Sequence, residues 1–279
     1  MTQRVGIIGW PLTTTFSPAM HNAAFQALGM DWVYDKMAIP PDIARLGVLE
    51  PQRHGYVGIN VTIPHKEEVM RHVMPDDLAR AVGAVNTIDF RTMTGTNTDV
   101  GGFITDLTAN DVELKDKRVL VLGAGGAARA AVVGLTGAGA SVVVVNRSIE
   151  RARAMVANLS LSNLMMKADA LTLDEAVEAG DIDLIVNSTP AGMYPNVDES
   201  PWVHGVPFPR RVTVYDMIYR PAQTHLMRQA EQHGGRGIGG LGMLVYQGAA
   251  AFKLWTGVEP PIEVMFDAVR QELQNSGES

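Results

Sequence analysis

Two residues able to exchange protons stand upstream of a glycine-rich loop. Lys66 closes the run Asn60-Val61-Thr62-Ile63-Pro64-His65-Lys66, Asp99 closes Asn97-Thr98-Asp99, and Gly123-Ala124-Gly125-Gly126-Ala127-Ala128 follows both. An amine and a carboxylate in Asn- and Thr-rich settings suit general acid–base transfer at a polar substrate. A glycine loop of this kind suits the pyrophosphate of a dinucleotide. In this order the chain reads as a substrate-handling part that supplies proton transfer, followed by a part that holds a redox cofactor.

The glycine loop carries its own logic. The first glycine permits a tight turn, the second lets the backbone approach a pyrophosphate, and the small Ala128 lets helix and strand pack closely. Phosphate would then rest on the helix N-terminus, where N–H groups and the dipole favour an anion. Small-residue turns are common, and a methyltransferase would share much of this layout. The next strand end discriminates further. A free ribose 2′-hydroxyl is expected to meet Asp or Glu about 20 residues past the loop, whereas a 2′-phosphate needs Arg. The chain has Asn146-Arg147-Ser148, with Arg151 one helical turn on, and Ser148 is placed to cap that helix. NADP is therefore expected over NAD. The plain alternative is a solvated Arg pair, but cations are unfavourable at a helix N-terminus unless an anion is present.

In the first half, Thr15-Phe16-Ser17-Pro18 places two hydroxyls on one side of an extended segment, able to hold a carboxylate. Thr62 precedes Lys66, and Asn86 interrupts an apolar run and needs partners if buried. Each feature has a bland reading. Ser17 and Asp99 could cap helices, Lys66 could face solvent, and Asp76-Asp77 reads as a helix cap. Taken singly, the bland readings prevail.

The elements that must position these groups follow from periodicity. Val5 to Ile8, Trp32 to Met37, Val57 to Ile63 and Ala84 to Phe90 read as strands, with helices over Ala19 to Leu28, Pro41 to Leu49 and Lys66 to Val73. Val119 to Leu122 and Ser141 to Val145 read as buried strands around a helix over Ala127 to Leu135, with further strands at Leu184 to Asn187 and Val212 to Tyr215. The tail, Gly242 to Trp255 and Pro261 to Leu273, reads as helical. The class is α/β, with a domain boundary in Gly101 to Lys117.

Composition narrows the setting. The 279 residues, 46% of them hydrophobic, can form two moderate cores, and the net charge of −7 offers no general attraction to nucleic acid or anionic lipid. Cys is absent, so thiolate chemistry is excluded. The seven His residues show no metal-ligand spacing, and no metal is expected. The first residues are too short and too quickly broken for a signal peptide, and no apolar run is long enough to cross a bilayer. A cytoplasmic protein is expected.

Taken together, the motifs resemble shikimate dehydrogenases over nearly the whole length. The matching segments are Ser17-Pro18-Ala19-Met20-His21-Asn22, Asn60 to Lys66, Gly83-Ala84-Val85-Asn86-Thr87, Asn97-Thr98-Asp99, the glycine loop and Asn146-Arg147-Ser148. To these are added Asn187-Ser188-Thr189-Pro190-Ala191-Gly192-Met193, Asp216-Met217-Ile218-Tyr219 and Gly242-Met243-Leu244-Val245-Tyr246-Gln247.

The resemblance implies NADPH-dependent reduction of 3-dehydroshikimate to shikimate, on the route to chorismate and aromatic amino acids. It implies a substrate domain at 1–103 and 242–279, completed by returning C-terminal helices, and a Rossmann-like NADP domain at 104–241. It makes Lys66 and Asp99 the catalytic pair, with Thr15 and Ser17 on the substrate carboxylate, and Thr62, Asn86, Asp99, Tyr219 and Gln247 around the ring. Gly123, Ala124, Gly125, Gly126, Ala127, Asn146, Arg147, Ser148, Arg151, Met217 and Gly240 would contact NADP, with Thr189, Met243 and Asp77 on that side. The family usually has Ser at Thr15, often preceded by His where this chain has Thr14, so quinate remains open as a second substrate. A silent nucleotide sensor on the same scaffold is the other alternative, against which Lys66, Asp99, Asn86 and Gln247 argue. The partners implied are small molecules, neither nucleic acid nor membrane, with the protein a monomer or homodimer.

Overall fold

Apolar strands alternating with helices give, in the computed structural model, two compact units: Met1–Gly102 with Leu244–Glu278, and Phe103–Met243. The structure describes residues 1–12, 15–163 and 166–275, so Thr14 lies outside the described residues.

In the first unit the run Val5-Gly6-Ile7-Ile8 becomes β1 (Gln3–Gly9), which is buried from Val5 onward. After α1 (Ser17–Ala27), β2 (Trp32–Ala38), α2 (Ala44–Arg53) and β3 (Tyr56–Val61), the chain has placed both β2 and β3 parallel to β1. Then come β4 (Met74–Pro75), α3 (Asp77–Val82), β5 (Thr87–Asp89), β6 (Thr94–Thr96) and α4 (Thr98–Ala109). Among the described residues this sheet is six-stranded, in the order β2-β1-β3-β5-β6-β4. It is mixed. β5 runs antiparallel to β3 and sets Thr87 opposite Asn60.

The second unit contains β7 (Arg118–Leu122), α5 (Gly126–Gly137), β8 (Ser141–Val145), α6 (Ile149–Ser162), β9 (Ala168–Ala170) and α7 (Leu173–Glu178). It continues with β10 (Leu184–Asn187), β11 (Thr213–Asp216), α8 (His225–Gln232) and β12 (Arg236–Gly239). The strands are parallel, in the order β12-β11-β10-β7-β8-β9. Val119 and Val121 point into a core with Ala128, Ala131 and Leu135 of α5, while Leu120 and Leu122 point into one with Leu226 and Ala230 of α8. Both faces are covered, which is why β7 and β8 read as unbroken apolar runs. α9 (Leu241–Thr256) and α10 (Ile262–Asn275) close the chain. α9 returns to the first unit, where Trp255 Nε1 donates to the Ile88 carbonyl at 3.0 Å.

Several sequence expectations are corrected. The helix expected over Lys66 to Val73 is a 3₁₀ turn at Glu68–His72, and Lys66 lies in the turn before it. The strand expected to reach Ile63 stops at Val61, and the one expected from Ala84 begins at Thr87. Past Pro64 the backbone turns back on itself, with the Val85 N–H on the Lys66 carbonyl at 2.8 Å. β4, β6 and β9 are too short to leave an apolar period, and β12, Arg236-Gly237-Ile238-Gly239, has one large apolar residue.

His21 of α1 is fully buried against aromatic rings. It stacks on Tyr34 with centroids 4.3 Å apart, and neither ring nitrogen has a hydrogen-bond partner among the described residues. Burial lowers its pKa to about 3. An unfolded His titrates near 6.5, so the unfolded chain binds this proton more readily. The stability held by neutral His21 is full above about pH 6.5 and is lost as pH falls toward 3. We therefore expect His21→Phe to lose less stability than wild type between pH 7 and pH 5, the difference approaching about 1.4 kcal/mol per pH unit below 6.5. Urea denaturation at the two pH values measures it, and equal slopes would contradict the assignment.

Candidate active site

The proton-exchanging pair sits in the first unit. Lys66 Nζ lies 2.6 Å from Asp99 Oδ2, with side chains only 16% and 7% exposed. A charge-assisted bond of this length in a poorly hydrated setting is strong and fixes both groups. Each partner has a local cause. Lys66 leaves a turn whose carbonyl holds Val85, and Asp99 occupies the first turn of α4, where the helix dipole favours a carboxylate. Asn97 Oδ1 accepts from the Asp99 backbone N–H at 3.1 Å, while its Nδ2 donates to the Ala84 carbonyl at 3.0 Å. An Asx-type turn thus orients the acid.

The buried Asn86 finds the partners its position demands. Its Nδ2 donates to Asp99 Oδ1 at 2.7 Å, and its Oδ1 accepts from the Thr98 backbone N–H at 2.7 Å. The Thr15 and Ser17 hydroxyls lie together, 3.3 Å apart. Ser17 opens α1 as its first residue and does not cap it. Thr62 is half-buried just past β3, its N–H on the Ile8 carbonyl. Gln247 lies on α9, its Nε2 on the Leu244 carbonyl at 2.8 Å. Gly102 allows that neighbourhood: a Cβ there would stand 2.7 Å from the Gln247 nitrogen, so only glycine lets α9 come this close to α4.

The expected cofactor residues, Asp77 apart, lie in the second unit. β7 begins the sheet at its centre, with β8 on one side and β10 on the other, so the strand order reverses there. Open α/β sheets bind ligands outside the strand ends at such a point. Gly123 follows β7 with φ +116°, and a Cβ on it would meet Ser188 Oγ at 2.5 Å. Gly125 precedes α5 with open space where a side chain would stand, so phosphate oxygens can reach the helix N-terminus. Ser148 caps α6 by accepting from the Arg151 N–H at 3.3 Å and donates its own hydrogen to Glu150. Arg147 and Arg151 are exposed, with no ion pair among the described residues, and this fits a 2′-phosphate.

Asn187 organises the opposite side of the switch point. Its Oδ1 accepts from both the N–H and hydroxyl of Thr189, and its carbonyl from the Met217 N–H. Asp216 holds Asn187 Nδ2 at 2.9 Å; burial raises its pKa to about 6, against hydrogen bonds from Thr224, Ile218 and Asn187. The Gly240 N–H bonds the Ile218 carbonyl, and the Met243 N–H bonds Asp106 Oδ2 at 3.0 Å. Tyr219 belongs to the second unit, and Lys66, Asn86 and Asp99 belong to the first. Asp77 lies in the first unit as a fully exposed partner of Arg80, and the cap of α3 is Asp76.

Sequence reasoning did not single out Tyr34 or assign a role to Asn60, Thr87 or Thr98. Asn60, Thr87 and Thr98 stood within the matched segments without a role, and Tyr34 left no signal beyond a polar group in a strand.

Comparison with known proteins accounts for this arrangement. Residues 7–88 match a model described as shikimate dehydrogenase substrate binding domain, 106–200 one for shikimate / quinate 5-dehydrogenase, and 240–270 a shikimate 5'-dehydrogenase C-terminal domain. A shikimate dehydrogenase (NADP(+)) of Methanocella arvoryzae is 42% identical over 96% of this chain and 98% of its own. The chain belongs to the shikimate dehydrogenase family. Among solved structures, a shikimate dehydrogenase in complex with NADP+ has a TM-score of 0.88 at 39% identity, covering 97% of this chain and 96% of that one. The Thermus thermophilus shikimate 5-dehydrogenase in complex with NADP(H) and shikimate has a TM-score of 0.85 at 36% identity, covering 96% and 99%. An N-terminal α/β substrate domain precedes a Rossmann-like domain, and the C-terminal helices of this chain rejoin the former.

Gly102→Ala is expected to destabilise this protein by about 1–3 kcal/mol, because the new methyl overlaps the α9 backbone. A lowered urea midpoint measures this, and an unchanged midpoint would show that the two helices can part without cost.

Proposed function

We propose that this protein catalyses the reversible, NADPH-dependent reduction of 3-dehydroshikimate to shikimate, in the biosynthesis of chorismate and the aromatic amino acids. The observation that carries this reading is the Lys66–Asp99 pair, 2.6 Å apart and braced by Asn86, in a chain of the shikimate dehydrogenase family. NADPH, when bound, supplies the hydride. Lys66 donates a proton from Nζ to the substrate oxygen as its carbonyl becomes an alcohol, and accepts one there in the reverse direction. Asp99 holds the amine in line through Oδ2 while Asn86 fixes Oδ1, so neither group reorients during transfer.

Thr15 and Ser17 offer hydroxyls to the substrate carboxylate, and Thr62, Asn86, Tyr219 and Gln247 offer polar groups to the ring hydroxyls. Gly123 to Ala127 admit the pyrophosphate, while Asn146, Arg147, Ser148 and Arg151 receive the ribose 2′-phosphate. Thr189, Met217, Gly240 and Met243 line the rest of the cofactor site, and Asp77 is on its side. We place the enzyme in the cytoplasm, as a monomer or homodimer acting on small molecules; among the described residues no helix is long and apolar enough to cross a membrane.

NADPH consumption with 3-dehydroshikimate tests the reading directly, with quinate oxidation run beside it because Thr15 adds a methyl group to the pocket. Lys66→Ala should lower kcat by about 10²–10⁴ with far less change in KM. Near-normal turnover would remove Lys66 from proton transfer. Arg147→Ala should raise the KM for NADPH by about tenfold or more and leave that for NADH unchanged, since only NADPH carries the extra phosphate. Equal effects on both cofactors would move the phosphate contact elsewhere.

A further inference from the structure

The catalytic pair is the end of a longer buried chain of side chains. Tyr34 Oη donates to Asn60 Oδ1 at 2.7 Å, Asn60 Nδ2 donates to Thr87 Oγ1 at 3.0 Å, and Thr87 Oγ1 donates to Asn86 Oδ1 at 3.0 Å. Asn86 Nδ2 then donates to Asp99 Oδ1 at 2.7 Å, and Lys66 occupies Oδ2. Tyr34, Asn60 and Thr87 are 2%, 4% and 0% exposed, and the chain they form reaches the catalytic pair through Asn86, with Thr87 Oγ1 also 3.2 Å from Thr98 Oγ1.

Two backbone groups set the direction of the chain. The Thr98 N–H can only donate, so Asn86 must present its oxygen there and its nitrogen to Asp99. The Asn86 carbonyl can only accept, so Asn60 presents its nitrogen to it at 3.3 Å and its oxygen to Tyr34. Thr87 thereby receives one hydrogen from Asn60 and has its own free for Asn86. Neither amide can flip without leaving buried groups unpaired. The antiparallel register that puts Asn60 opposite Thr87 builds the central link.

We infer that Tyr34, Asn60 and Thr87 are positioning residues of this enzyme, which lock the Asn86 amide and through it the orientation of the Asp99–Lys66 pair. The inference rests on the activity proposed above. Thr87 is assigned no substrate contact of its own and fixes the geometry of Asn86, so its loss acts on turnover more than on binding.

The test is the isosteric Thr87→Val, with Thr87→Ser as the conservative control and Tyr34→Phe as a second break in the chain. NADPH consumption with 3-dehydroshikimate is expected to show kcat about tenfold lower in Thr87→Val, with KM within about twofold, and recovery in Thr87→Ser. Tyr34→Phe, which only loses a hydroxyl, should shift kcat in the same direction and keeps the test available if Thr87→Val does not fold. The side-chain amide resonance of Asn86, assigned by its absence in Asn86→Asp, should move in Thr87→Val and return in Thr87→Ser. Wild-type kcat in Thr87→Val and Tyr34→Phe, a rise in KM alone, equal losses in Thr87→Val and Thr87→Ser, or an unmoved Asn86 resonance would each overturn the inference. Absence of NADPH consumption by the wild-type protein would overturn the proposed activity instead, and the Asn86 resonance alone would then decide this inference.

Discussion

An ammonium and a carboxylate held 2.6 Å apart with little water around them persist only if neighbouring groups satisfy their remaining donors and acceptors. That constraint shapes the first unit. Asp99 takes its second oxygen's partner from Asn86, Asn86 takes its own from the Thr98 backbone, and Asn97 ties the acid's N–H to the turn at Ala84. The cost of burying so many polar atoms is met by pairing them, and the pairing holds the amine where a proton can be handed over. A less complete network would leave a buried charge uncompensated, which is far more destabilising than having no pair at all.

The second unit solves a different problem with different means. Its sheet is parallel and covered on both faces, so its strands need only be apolar, and polar residues are pushed to the strand ends. There the reversal of strand order leaves the Gly123 turn and the Asn187-to-Thr189 turn side by side, as the approach of Gly123 to Ser188 shows. Asn187, Asp216 and Thr224 form a small buried network beneath these turns. The N-terminus of α5 and the exposed Arg147 and Arg151 lie at these strand ends.

Much of this was legible in advance, for physical reasons that differ by residue. Buried parallel strands leave apolar runs, so β7, β8, β10 and β11 were readable, whereas β4, β6 and β9 are two or three residues long and β12, Arg236-Gly237-Ile238-Gly239, carries a single large apolar residue. Glycines at sterically demanded turns leave a fixed spacing, so the loop at Gly123 stood out. Asn86 announced itself as a polar residue in an apolar run that would need partners. Tyr34 and Thr87 could not do so, because a hydroxyl on a strand residue is as compatible with solvent as with a buried partner. The helix expected at Lys66 to Val73 failed because local pattern cannot see that the Lys66 carbonyl is claimed by the distant Val85 N–H.

By itself the sequence determined which groups can exchange protons, which turn can admit a pyrophosphate and which charge can receive a phosphate, since these depend on residue type and short-range spacing. Only the tertiary structure decided that Lys66 meets Asp99, that Asn86 stands between the acid and Thr87, and that Asn60 faces Thr87 across an antiparallel pair. These contacts join residues far apart in the chain. They are set by strand register and by the demand that every buried donor find an acceptor, and neither leaves a trace in local sequence.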